Sequence, residues 1–147
     1  MKAEIKNYKR FAGHDGQGFE ATLYLDGKKA AVISDDGWGG EWNWGIMPNM
    51  LNYIEEFRAK CEALPNMPSE YFEDGIGMDA TIWIEENLLG IADAKKYCGG
   101  KITFIDDGKI WNMGKYNKNN HDQIIKALAV KYPNARLING MPVVAII

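Results

Sequence analysis

The tightest constraint on the fold lies at residues 19–27. Phe19, Ala21, Leu23 and Leu25 alternate with Glu20, Thr22 and Tyr24, and Asp26-Gly27 follows at once. A period of two places the apolar set on one face of a β-strand. Asp-Gly then suits a type I′ turn, which needs positive φ at both central residues. The chain must therefore double back as an antiparallel hairpin. Its neighbours complete a three-stranded meander, with a first strand near Ala3–Phe11, a Gly-rich turn at Gly13–Gly18 and a third strand near Lys29–Ser34.

Asp35–Gly45 reads DDGWGGEWNWG, with four glycines and three tryptophans, and is predicted to be an irregular loop. Met50, Tyr53, Ile54, Phe57, Cys61 and Leu64 recur at helical spacing, predicting a helix over 49–64 with Asn49 as N-cap and Pro65 as its end. Pro65–Gly77 reads as a polar connection. A second helix is expected over Asp79–Tyr97, capped by Asp79, striped by Ile84, Leu88, Ile91 and Cys98, and stopped by Gly99-Gly100. Gly90 and the alternating Thr81-Ile82-Trp83-Ile84 run against that helix. Lys101–Ile105 and Lys109–Met113 form a second hairpin around Asp106-Asp107-Gly108. A third helix covers about His121–Tyr132, with Asn120 and Gln123 at capping-box spacing. Arg136–Ile138 and Met141–Ile147, around Asn139-Gly140, read as a last hairpin or paired strand. Strands first, helices in the middle and a hairpin, helix and strand at the end predict a single segregated α+β domain over residues 1–147.

Nothing in Met1–Arg10 resembles an export signal, and no stretch approaches the ~18–20 apolar residues that cross a bilayer. Two isolated cysteines, Cys61 and Cys98, read as buried free thiols in a reducing compartment, so a cytoplasmic location away from membranes is expected. Charge is distributed unevenly. Residues 41–93 hold eleven acids against two bases, a net of −9, whereas residues 94–147 hold nine bases against three acids, a net of +6. Such asymmetry bears on association rather than on fold.

Residues 18–40, GFEATLYLDGKKAAVISDDGWGG, resemble the opening of a group of uncharacterised bacterial and phage proteins. That group tends to show an aromatic-x-Ala-x-Leu-Tyr-x-Asp-Gly hairpin, here Phe19, Ala21, Leu23, Tyr24, Asp26 and Gly27, and a later Gly-Gly turn, here Gly39-Gly40. The hairpin at 101–113 followed by a helix is in keeping with it; the aromatic-rich 41–57 region is not. The resemblance implies a mobile-element or accessory setting and brings no activity and no catalytic residues.

Chemistry-bearing motifs are missing. The two histidines, His14 and His121, and the two cysteines are far apart, with no HExxH, CxxC or EF-hand loop, so no metal is expected. No GxSxG elbow occurs, and Cys98 at a helix C-terminus faces the negative end of the dipole, which disfavours a thiolate. Adjacent acids such as Asp35-Asp36 and Asp106-Asp107 fit turns. Gly13–Gly18 lacks a following helix and a Gly-Lys-Ser/Thr, so it is no phosphate loop. No catalytic residue, metal or cofactor is predicted.

Two surfaces remain as binding candidates. The first is Trp38, Trp42 and Trp44 with Asp36 and Glu41, either a protein-binding hot spot or a lid folded over the sheet. The second is Trp111, Lys115, Tyr116, Lys118 and His121 with Lys101 and Lys109, where bases and rings interleave as a phosphate-and-ring site requires, or where lysines are merely solvated. The leading expectation is a non-enzymatic phage or mobile-element counter-defence protein that inhibits a host protein through the acidic, Trp-rich surface. The alternatives are a protein sequestering a small nucleotide signal through residues 101–121, a nucleic-acid binder, and an enzyme of unrecognised class. An unpaired edge at Val143–Ile147 would favour a homo-oligomer.

Overall fold

In the computed structural model, which describes residues 1–13, 16–97 and 100–147, the elements run in this order: β1 (Lys2–Ala12), β2 (Gln17–Leu25), β3 (Lys28–Asp35), β4 (Asn43–Ile46), α1 (Leu51–Glu62), α2 (Ala80–Ile84), a π-helical turn (Glu85–Leu89), α3 (Gly90–Tyr97), β5 (Lys101–Asp106), β6 (Lys109–Lys115), a 3-10 turn (Lys118–Asn120), α4 (His121–Lys131), β7 (Arg136–Leu137) and β8 (Val143–Ile146). The class is α+β, with one antiparallel sheet of five strands and another of three. The residues fall into two compact units, Met1–Leu88 with Val143–Ile147, and Leu89–Pro142. No helix among the described residues is long and apolar enough to cross a membrane.

The first unit is built on the sheet β4-β3-β2-β1-β8. Register explains its core. Ala3 faces Leu25, Ile5 faces Leu23, Leu23 faces Ala31 and Ala21 faces Ile33, so the apolar set lines one face and all are buried. Asp26 and Gly27 take φ of 47° and 80°, as the type I′ turn demands. Ile54, Phe57 and Cys61 of α1 are fully buried, and the Phe57 ring meets Trp83 edge to face at 5.4 Å. Asp79 caps α2, its Oδ1 accepting the Ile82 N–H at 2.9 Å.

Several expectations are corrected here. The meander gains two edge strands. Asn43–Ile46, expected in part as irregular loop, forms β4, because Trp44 and its neighbours find backbone partners on Ser34–Ala31. The chain end pairs with β1, not with β7, so Arg136–Ile138 and Met141–Ile147 do not make a hairpin with each other. The α1 cap position is Met50, without a side-chain bond; Asn49 instead takes φ of 62°. The segment 80–97 is helical but passes through the π turn, where the Asn87 amide donates to the Trp83 carbonyl at 2.9 Å. Its expected stripe residue Cys98, and the first glycine of its Gly99-Gly100 stop, lie outside the described residues, as do His14 and Asp15.

The second unit has the sheet β6-β5-β7. Asp107 and Gly108 (φ 51° and 71°) close the β5–β6 hairpin. Its core is small: Phe104, Leu128 and Leu137, with Ile102, Tyr116, Ile124, Tyr132 and Ala135 packed around them. Leu128 is the buried residue of α4, and Ile125 is exposed. Asn120 is the N-cap position of α4 but makes no side-chain bond, so the capping box does not form. Asn117 instead caps the 3-10 turn, accepting the Asn119 N–H at 3.0 Å.

Candidate functional site

In the first unit, turn chemistry shapes the segment after β3. Asp35 Oδ1 accepts the Gly37 N–H and Asp36 Oδ1 accepts the Trp38 N–H, each at 2.9 Å. Gly37 has φ of 78°, and a Cβ on it would fall 2.7 Å from the Gly13 Cα, so two backbones meet where only glycines fit. The five predicted residues then divide. Trp42 folds back, its ring edge-on to Phe19 at 4.7 Å, and Trp44 sits on β4 under the Arg58 guanidinium at 4.8 Å. Both are half-buried, while Asp36, Glu41 and Trp38 face solvent, Trp38 with 61% of its surface exposed.

A negative field surrounds this region. The Glu85 carboxyl lies above its ordinary range, first through burial and then through repulsion from Glu86, Asp79 and Asp35. The Cys61 thiol is pushed up to about 11 by burial, then by Asp79 and Glu62, which makes it a poor nucleophile.

A third feature of this unit has no periodic signature in the sequence. Met67 and Ile76 exchange two backbone hydrogen bonds, at 2.8 and 2.9 Å, and pin the ends of a loop. Within it Ser69 Oγ accepts the Tyr71 and Phe72 N–H groups at 3.1 and 3.3 Å, and the Asn66 amide donates to the Asp74 carbonyl at 2.8 Å. Tyr71 is 87% and Phe72 61% exposed at the loop tip, among the exposed acids Glu70, Glu73 and Asp74. None of these three acids makes an ion pair among the described residues. The available signal was two adjacent aromatics set between acids, with no helical or strand period to bury them.

In the second unit the seven basic–aromatic residues are not one cluster. Lys101 faces Lys115 at one end of the hairpin, and Lys109 faces Asp106 at the other, about 20 Å away along β6. Trp111 lies between, opposite Phe104, and is half exposed. Tyr116 and His121 do come together: the phenol oxygen and His121 Nδ1 are 2.8 Å apart and share one hydrogen. Tyr116 also lines a cavity of about 200 Å³ with Lys95, Thr103, Ile138, Asn139 and Gly140. Lys95, Asn139 and Gly140 are partners that residues 101–121 alone could not reveal. The Lys95 ammonium donates to the Met141 carbonyl. Asn139 and Thr103 form the floor, both buried.

Among the described residues no three His, Cys, Asp or Glu side chains converge as a metal ligand set would. Comparison with known proteins finds no match among family models, curated proteins or solved structures.

Proposed function

We propose that the chain is a non-enzymatic binding protein that inhibits a host protein, in a phage or mobile-element accessory setting, through the acidic, aromatic surface of its first unit. The observation that supports this most directly is the ordered 67–76 loop, which holds Tyr71 and Phe72 in solvent amid carboxylates that make no ion pair among the described residues. Exposed aromatics on an ordered loop spend little entropy on docking, and rings of this kind dominate interface energetics. Trp38, with Asp36 and Glu41, offers a second anchor of the same character. A surface of this sign suits a partner whose apolar pocket is rimmed by Lys and Arg, such as a groove that otherwise holds nucleic acid.

The test is a salt-graded pull-down from host lysate with the wild-type chain, Tyr71→Ala/Phe72→Ala and Trp38→Ala. The reading expects one stoichiometric partner that the wild type retains at low salt, loses at high salt, and that the double variant fails to hold. A partner held equally by all three proteins, or no partner at all, would remove it.

A further inference from the structure

We infer that the cavity between Lys95, Tyr116 and Gly140 in the second unit is a binding site for a small molecule carrying a compact oxyanion. The inference does not depend on the protein-binding reading, which concerns the other unit.

The walls are built before any ligand arrives. Asn139 Oδ1 accepts the Thr103 N–H at 2.7 Å and its amide donates to the Lys101 carbonyl at 2.8 Å, while Thr103 Oγ1 donates to the same carbonyl at 3.2 Å. These groups are occupied and act as a floor rather than as ligands. The groups able to meet a ligand are Lys95 and Tyr116. An ammonium has three N–H donors, and Met141 takes one of the three on Lys95. When the His121 Nδ1–H donates to the Tyr116 oxygen, the Tyr116 hydroxyl is released to donate into the cavity. Gly140 lines the cavity as well. Its φ of 73° favours glycine, and a Cβ there would stand 3.7 Å from both the Tyr116 hydroxyl and His121 Cε1.

Sign and size follow from the lining. Neither this cavity nor the open concavity of Lys115, Tyr116, Asn117 and Lys118, which shares Tyr116 with it, is lined by a carboxylate. A space of about 200 Å³ holds roughly six waters' worth of volume, the size of a phosphate or of a carboxylated three-carbon fragment. The remainder of a larger ligand would pass over Tyr116 toward Lys115 and Lys118. Trp111 and Lys109 play no part in this site.

The test is a two-dimensional NMR titration of the full chain at constant ionic strength with inorganic phosphate, acetate and ribose 5-phosphate. Saturable shifts confined to the Lys95, Tyr116, His121 and Gly140 signals are expected with phosphate or acetate, and whichever binds tells a phosphate ligand from a carboxylate. Ribose 5-phosphate binding more tightly than phosphate would place the rest of the ligand in the Lys115–Lys118 concavity. Lys95→Gln removes a charge-assisted bond and should weaken binding about tenfold or more. Tyr116→Phe should weaken it several-fold, and it decides the matter if Lys95→Gln fails to fold. Lys126→Gln, an exposed α4 position outside the cavity, should change nothing. Linear shifts without saturation, or equal losses in Lys126→Gln and Lys95→Gln, would reduce the effect to general basic attraction and overturn the inference.

Discussion

Asn139 grips Thr103 across the second unit: its side-chain oxygen accepts the buried Thr103 N–H at 2.7 Å while its amide reaches the Lys101 carbonyl at 2.8 Å. One carboxamide thus supplies an acceptor and a donor to the start of β5 at once. Asn139→Ala removes both bonds at once, while the Lys101 carbonyl keeps the Thr103 hydroxyl, and the loss is expected to be about 2 kcal/mol. Asn139→Asp keeps the acceptor but sets a carboxylate against the Lys101 carbonyl, so it should fall short of full rescue. Urea unfolding read at equilibrium checks the order wild type, Asp, Ala.

Gly37 and Gly40 lie three residues apart in one Gly-rich loop, yet their surroundings differ. Gly37 has φ of 78° and abuts Gly13, whereas Gly40 has open space around its Cβ position. Gly37→Ala should therefore cost about 2 kcal/mol or more through backbone strain and the clash. Gly40→Ala should be neutral or slightly stabilising, because it restricts the unfolded chain. Thermal unfolding of the two variants side by side separates these outcomes.

Local chemistry made much of this fold legible. The Asp26-Gly27 and Asp107-Gly108 turns take the positive φ values their types demand, and Asp79 caps as its position before an apolar stripe suggests. What stayed hidden depends on distant partners. Strand character in Val143–Ile146 can be read from its residues, but nothing local says that it pairs with β1. Trp44 lies in a strand only because Ile33 lies opposite, and the glycines around it masked that. The site behaves likewise. Tyr116 and His121 are near in sequence, so their meeting was within reach, whereas Lys95 and Asn139 arrive from α3 and from beyond β7. Tyr71 and Phe72 escaped notice because residues without a period look like connection.

Glu85 carries a pH signature. Its folded pKa lies above the ordinary value, so the folded state binds more protons and its contribution is greatest in acid. Stability from this residue is fully present below the unfolded carboxylate pKa and declines as pH rises through the folded one. Glu85→Gln should raise the unfolding temperature at pH 7 and leave it nearly unchanged at pH 4. The gain should stay within about 0.5 kcal/mol, as is usual at an exposed position.

Phe57 tests the core of the first unit against its surface. Its ring is fully buried and meets Trp83 edge-on at 5.4 Å. Phe57→Ala should cost about 3–5 kcal/mol, while Trp38→Ala, at an exposed ring, should move stability by about 0.5 kcal/mol or less. Equal losses in the two would mean that Trp38 belongs to the core and would withdraw it from the proposed interface.

Cys61 gives the last prediction. Its side chain is fully buried, and burial with Asp79 and Glu62 raises the thiol to about 11 from a reference of 9.0. The folded thiol therefore keeps its proton across a range in which the unfolded one loses it. The corresponding stability is fully present below about pH 9 and lost as pH climbs toward 11, a difference on the order of 2 kcal/mol. In a Cys98→Ser background, iodoacetamide at pH 8 should label Cys61 only as fast as the chain opens, and rapidly once guanidinium unfolds it. Cys61→Ala should flatten the alkaline limb of the stability curve while costing some packing at all pH values. Fast labelling of the folded chain at pH 8 would show that the thiol is neither sealed nor raised.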